Sequence, residues 1–465
     1  MISNASSIFT ATHLYLNLPV MKVSKYSFLF ELGDEEFYIY NSLSNALLEI
    51  DAQSYKYLEE TKEKGTSLDF SVFEDDFYNT LINKKFITEN DKDDFLMYKS
   101  AIICQRSSTS SMHITIAPTI DCVFRCHYCF EKYKHSGNMD ENTMDSIVKY
   151  LQSLKSNPNI SITWFGGEPL MAIDQIEQLY DKITKDYKKP MRSEIVTTGY
   201  HITPSMIDVF KKIGVKQLQI TLDGIKETHN KIKQTKGCDD AFSKVLDNVE
   251  IVMKNAPEIN VVFRVNLTKL NAHEYVPLYR QLVHRYRMYG NFGISPGIVM
   301  ERGACKAIDH SIFFTPEENA EFNLNLYNQY GIYTSFMRYP SRFFQECGIR
   351  NAMSIAFDPE GYAYKCWELI GNKDYAYGKL NCNGELELTN MVSYNRQMYG
   401  ADPLDDPNCI KCEYLPICHG GCPVQRLENE FECKNNDVCT YYKSHLADFM
   451  KIHIIRKKLK DNSAK

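Results

Sequence analysis

No apolar run in this 465-residue chain approaches the roughly 20 residues that cross a bilayer as a helix, so no membrane-spanning segment is expected. A basic surplus is also missing. Lys and Arg number 53 against 59 Asp and Glu, a net charge of −6, which argues against a nucleic-acid binder that works by neutralising phosphates. The opening stretch MISNASSIFTATHLYLNLPV has no Lys or Arg, so the charged start of a secretory signal is absent and a cytoplasmic location is expected. Low-complexity tracts and internal repeats are absent too. At 44% hydrophobic and 24% charged residues, the composition is that of a globular protein with an ample core and room for two or three domains.

What the chain has in excess is cysteine, 15 in all. In a small secreted protein they would signal disulfides. In a large chain with no export signal, metal or iron–sulfur ligation is the better reading.

Charge divides the chain. Residues 1–100 hold 9 basic against 17 acidic residues, a net of −8, which leaves 44 against 42, or +2, for the rest. In the acidic part, YSFLFEL and EEFYIYN flank a Gly-Asp turn and predict a β-hairpin, and helical patterns follow in SNALLEIDAQSYKYLEE and VFEDDFYNTLINKKF. The expectation for 1–100 is an α+β domain of winged-helix size. From residue 112 strand-like runs alternate with amphipathic stretches: MHITIAPT, ISITWFGG, SEIVTTGY, KQLQITLDG, INVVFRVNLT and FGISPGIV. Met144, Ile147, Val148, Leu151 and Leu154 share one helical face, as do Phe242, Val245, Leu246, Val249 and Val252. Six β–α units predict an α/β fold, a partial (β/α)6 barrel over 112–335 with ligands at the carboxyl ends of its strands. Residues 340–445 form a Cys-rich segment expected to build little apolar core and to need a metal to hold it, and 446–465 close the chain as a helix and tail.

CVFRCHYC sets Cys122, Cys126 and Cys129 just past the first predicted strand. Three thiolates so close can ligate three irons of a cubane and leave the fourth open, and a zinc site completed from afar is the competing reading. The array resembles the signature of radical S-adenosylmethionine (SAM) enzymes, including the aromatic Tyr128. WFGGEP, with Gly166, Gly167, Glu168 and Pro169, resembles that family's motif for the SAM amino group: the glycines admit a close ligand and Glu168 supplies negative charge. ITLDG and FRVNLT resemble the fourth and fifth strands of the same barrel, which implies Thr221 at the SAM carboxylate and Asn266 at its ribose. The sequence departs from the family at Lys233, where Arg is frequent.

Cys347, Cys366, then Cys409, Cys412, Cys418 and Cys422 spaced CxxCxxxxxCxxxC, and finally Cys439 form a second array, which resembles the SPASM extension of peptide-modifying radical SAM enzymes, a unit that houses two auxiliary [4Fe–4S] clusters. By position, Cys409, Cys412, Cys418 and Cys439 are implied to hold the distal cluster, and Cys347, Cys366 and Cys422 the nearer one. The fourth ligand there is Cys382, Cys433 or an open iron. Cys104, Cys238 and Cys305 take no role and are expected to be buried structural thiols.

The resemblance implies three [4Fe–4S] clusters, SAM, a reducing partner such as flavodoxin or ferredoxin, and a ribosomally made precursor peptide whose leader binds the N-terminal domain. The implied product is an intrapeptide cross-link, a thioether or a carbon–carbon bond, as in maturases of the sactipeptide and ranthipeptide type. Formylglycine formation by an anaerobic sulfatase maturase, peptide epimerisation and a non-catalytic iron–sulfur electron carrier are the alternatives. No residue pair stands out as the catalytic base.

Overall fold

The computed structural model describes residues 20–463 except 34, 127, 130–136, 188, 190, 236, 301–308 and 341–345. Cys305 and the first 19 residues, on which the signal reading rests, lie outside the described residues. The chain divides into two compact units, one of which takes the N-terminal stretch to Ala101 and also Ile410–Ile417.

In this unit the expected hairpin is present. Ser27–Glu31 pairs antiparallel with Phe37–Asn41, in a register that sets Leu29 opposite Ile39. A third strand, Ala46–Ile50, completes the sheet where the sequence pattern had suggested helix. The helix starts later, at Ala52, because the Asp51 carboxylate accepts the Ser54 N–H at 2.8 Å and ends the strand with a cap. Helices Asp75–Asn83 and Asp91–Arg106 follow. Ile410–Ile417 is stitched into this unit. Lys25 Nζ donates to the Ile410 carbonyl at 2.7 Å, Ser42 Oγ to the Glu413 carbonyl at 2.6 Å, and the Phe28 and Tyr414 rings lie 4.9 Å apart.

The other unit is built on a ten-stranded sheet. Six parallel strands follow the six predicted runs in order: Ser111–Ile116, Asn159–Trp164, Arg192–Thr197, Val215–Leu222, Asn260–Leu267 and Phe292–Ile298. Along each, apolar residues such as Ile114, Ile162, Ile195, Leu218 and Val261 are buried under helices Glu141–Ser153, Ile173–Asp186 and Ala241–Asn255 and their neighbours. The residues between them, including His113, Thr163, Gln219, Thr221, Arg264 and Asn266, face the other way. A stripe of polar side chains therefore lines the inner face of the sheet.

The Cys-rich segment holds strands that its sequence does not announce. Ser354–Phe357 adds a parallel strand beside Ser111–Ile116, and Tyr362–Tyr364, Gly378–Leu380 and Leu386–Glu387 extend it as an antiparallel meander. Ile349, Ala356, Tyr364, Leu369, Val424 and Leu427 share one buried cluster with Ala117, Ile120 and Phe165. These residues of the segment thereby join the core of the parallel sheet. Among the described residues no helix is long and apolar enough to cross a membrane.

Candidate functional site

The residues singled out for SAM and its cluster lie in and just after the carboxyl ends of the parallel strands. Cys122, Cys126 and Cys129 sit on the loop after the first strand. Phe124, 1% exposed, anchors that loop edge-on against Tyr200, with ring centroids 5.2 Å apart. Burial pushes the Cys126 thiol up to about 12. Lys233 pulls it back, while Asp223, Cys129 and Cys122 push it further. Cys126 thus feels both other thiols of the loop as well as the Lys233 charge. Such a donor set fits a cationic iron cluster.

Gly166 and Gly167 follow the second strand, and what approaches them is the cysteine loop itself. A Cβ on Gly167 would stand 2.2 Å from the Asp121 carbonyl oxygen and 2.5 Å from that of Ile120, and one on Gly166 2.2 Å from Thr119 O. The Gly167 N–H donates to Thr119 O at 3.2 Å and the Glu168 N–H to Asp121 O at 2.8 Å. The paired glycines thus clamp the loop that carries the thiols. Glu168, 1% exposed, accepts from the Thr197 hydroxyl, the Thr198 N–H at 2.9 Å and the Leu170 N–H at 3.1 Å. Its carboxylate ties the second strand to the third and caps the short helix that opens with Pro169. These donors fix the carboxylate that the resemblance sets at the SAM amino group.

Tyr128 donates its hydroxyl to Asp223 and accepts from Asn266 Nδ2 at 3.1 Å. Asp223 was not singled out from the sequence, although it belongs to the quoted ITLDG. Its carboxylate lies 3.6 Å from Lys233 Nζ, with the two side chains 1% and 3% exposed. Burial works against the Lys233 charge, but Asp223, Cys126, Cys122 and Glu168 outweigh it and hold the pKa above lysine's ordinary value. His229 is pushed down to about 4 by burial and by Lys233, so it is neutral at pH 7, and its Nδ1 accepts the Asp223 N–H at 3.4 Å. Thr221 is half-buried and in register with Arg264 of the next strand. Arg264 was also missed. Burial lowers its pKa while Glu368 and Tyr128 raise it, and it fits only because residue 297 is Gly, whose Cβ would meet Arg264 Nε at 2.7 Å.

Cys347, Cys366 and Cys422 come together. Burial raises the Cys366 thiol well above its ordinary range, and Glu368, Cys347 and Cys422 push the same way. The two spare cysteines do not join them. The strands around Ala363 and Gly378 pair antiparallel, with Cys366 three residues beyond the first and Cys382 four beyond the second in the opposite direction. Seven steps amount to roughly 20 Å along the sheet. Cys422 and Cys433 cap opposite ends of helix Pro423–Glu432, a separation of roughly 16 Å. Cys382→Ser and Cys433→Ser variants are therefore expected to retain the parent's iron content and auxiliary-cluster spectrum. Loss of one cluster from either would refute this geometry. The Trp367 ring, next to Cys366, stacks on Phe165, next to Gly166, with centroids 5.3 Å apart.

Cys409 lies beside Arg426 and Asp406, while Cys412 belongs to the N-terminal unit. There burial lowers the Lys25 pKa, and Asp91 and Cys412 pull it back. Cys418 is half-buried and Cys439 exposed. Contrary to expectation Cys104 is exposed, on the outer side of helix Asp91–Arg106, and Cys238 is half-buried against Tyr200.

Residues 116–282 match the family model described as the Radical SAM superfamily. The radical SAM cyclopropyl synthase TigE of Paramaledivibacter caminithermalis is 23% identical, over 92% of this chain and 95% of that protein. A cysteine-type anaerobic sulfatase-maturating enzyme of Clostridium novyi is 22% identical, over 72% of this chain and 94% of its own. The crystal structure of Streptococcus suis SuiB bound to its precursor peptide SuiA has a similar fold, with a TM-score of 0.51 at 15% identity over 90% of this chain and 99% of SuiB. A radical SAM domain implies a [4Fe–4S] cluster and SAM. The thiol-bearing loop, the glycine clamp and the strands from Asn159 to Leu267 thus fall within the stretch that matches the Radical SAM model, in a chain similar to a cyclopropyl synthase and to sulfatase-maturating enzymes.

Proposed function

We propose that this enzyme matures a ribosomally made precursor peptide by joining two of its carbon atoms. The observation that carries this reading is the similarity to a cyclopropyl synthase across nearly the full length of both chains. The sulfatase-maturating relative leaves more than a quarter of this chain uncovered, so formylglycine formation ranks below it. Cys122, Cys126 and Cys129 would hold the SAM cluster. Tyr128, Gly166, Gly167, Glu168, Pro169, Thr221 and Asn266 would surround SAM, with Lys233 and Asp223 fixing the floor beneath. When bound, SAM and the clusters would supply a 5′-deoxyadenosyl radical, able to take one hydrogen atom from the peptide, and a sink for the electron released, with a proton, as the new bond closes. A flavodoxin or ferredoxin would deliver the electron that starts the reaction.

The N-terminal unit would bind the leader. Ala46–Ile50 is an edge strand, and a cavity of about 420 Å³ beside it is lined by Ala46, Leu47, Leu48, Thr80, Asn83 and Phe86. An extended peptide laid there pairs through its backbone, and the −8 balance of residues 1–100 favours Lys or Arg on it. Asn83→Trp, which fills the groove, should weaken peptide binding at least tenfold in calorimetry and leave SAM binding unchanged. Equal loss of both would sink the leader reading.

A second reading, thioether formation, is favoured by the three-thiol near set, whose open iron would ligate a substrate thiol. Mass spectrometry of the product separates the two. A peptide lighter by two hydrogens with every thiol still open to alkylation supports carbon–carbon closure, and one thiol blocked supports the thioether. Conversion of a sulfatase-derived peptide alone would overturn both.

A further inference from the structure

Cys409 is met by a charge that never leaves. Arg426, 8% exposed, directs Nη1–H to the Cys409 sulfur at 3.5 Å. Three other acceptors fix the same guanidinium: Ala401 O at 2.7 Å, Gly420 O at 3.5 Å and Asp406 Oδ2 at 2.6 Å. Behind it Arg350, 1% exposed, donates to the same Ala401 carbonyl at 3.0 Å. Arg106 grips Asp402 at 2.5 and 3.0 Å and Glu346, the neighbour of Cys347, at 2.6 Å through two nitrogens. Three guanidiniums thus meet three carboxylates, Glu346, Asp402 and Asp406, and the Cys409 sulfur is a further acceptor set into that lattice. A guanidinium cannot be neutralised at any pH the protein survives, so the positive charge there is permanent.

We infer that Arg426 is a positioning residue that raises the reduction potential of the distal auxiliary cluster through its N–H···S bond and fixed charge at Cys409. This rests on the reading of Cys409 as a ligand of that cluster. An incoming electron makes the cluster more negative. A donor on a ligand sulfur and a nearby cation both stabilise the reduced form, and hydrogen bonds to sulfur are among the recognised controls of cluster potential. Asp406 works the other way, because its Oδ2 lies 3.6 Å from the Cys409 sulfur itself and its carboxylate offsets part of the Arg426 charge. The two residues therefore have effects of opposite sign.

The test is a redox titration of the three-cluster holoenzyme followed by electron paramagnetic resonance. The distal signal is identified as the one lost in Cys439→Ala. Arg426→Gln should retain the parent iron content and lower the ratio of reduced to oxidised distal cluster at least tenfold at fixed potential, which is about 59 mV for one electron. Asp406→Asn should raise that ratio. Two iron-loaded variants with the parent's potential, or shifts of the same sign, would overturn the inference. Where Arg426→Gln loses iron, Asp406→Asn decides alone: a raised ratio upholds the inference and an unchanged or lowered one overturns it. A parent holding about eight rather than about twelve irons, with no Cys439-dependent signal, would instead remove the ligand reading and the inference with it.

Discussion

Alanine at Cys122, Cys126 and Cys129 together is expected to abolish 5′-deoxyadenosine formation. These thiols are the donor set on the loop clamped by Gly166 and Gly167, and oxygen and backbone donors nearby are poor substitutes for thiolate on iron. Iron should fall by about four per chain, one cubane's worth, while the auxiliary sets keep theirs. Cys366 and its partners share no residue with the altered loop, so their cluster should survive. Chromatographic assay of SAM cleavage under reducing conditions provides the check. A triple variant that cleaves SAM at the parent rate would refute the radical reading of the loop.

Lys233→Met is expected to have the largest effect on stability. The ammonium and the Asp223 carboxylate are both nearly out of solvent, 3.6 Å apart, and Asp223 also receives the Tyr128 hydroxyl. Removing the cation leaves a buried carboxylate with no compensating charge, which costs about 3–5 kcal/mol in comparable pairs. Asp223→Asn in the same chain should recover a large part of the loss, because it neutralises the stranded charge while keeping an acceptor for Tyr128. The comparison of parent, single and double variants in denaturant melts of iron-loaded protein isolates this coupling. A Lys233→Met protein as stable as the parent would show that the pair contributes nothing.

Elements whose signal is local were legible in the sequence. The six parallel strands announced themselves by apolar runs, and helices Glu141–Ser153 and Ala241–Asn255 by their buried faces. The cysteine spacings mark both donor arrays. What escaped depends on partners far away in the chain. Ala46–Ile50 has a helical apolar pattern and becomes a strand because Phe37–Asn41 offers it an edge. Ser354–Phe357 is too short to stand out and is recruited by Ser111–Ile116. Asp223, Arg264 and Arg426 are single charges in a chain full of them. Only the fold reveals that Lys233, Gly297 and Cys409 give them their meaning. The carbonyls of Thr119, Ile120 and Asp121 that press on the glycine pair cannot be foreseen from WFGGEP.

The stitching of Ile410–Ile417 into the N-terminal unit has a consequence for how the protein is made. Leu415 is 1% exposed there, its carbonyl accepts from the Tyr98 hydroxyl at 3.4 Å, and Glu413 pairs with Lys62 at 3.6 Å. More than 300 residues separate Ala101 from this segment. At roughly 5–20 residues per second, a ribosome needs roughly 15–60 s to reach it. Throughout that interval the nascent N-terminal unit carries an unfilled seat around Phe28 and Ser42, so its folding closes only near the end of synthesis. Truncated chains that stop before residue 410 should leave that seat open and bind holdase chaperones more strongly than the finished protein.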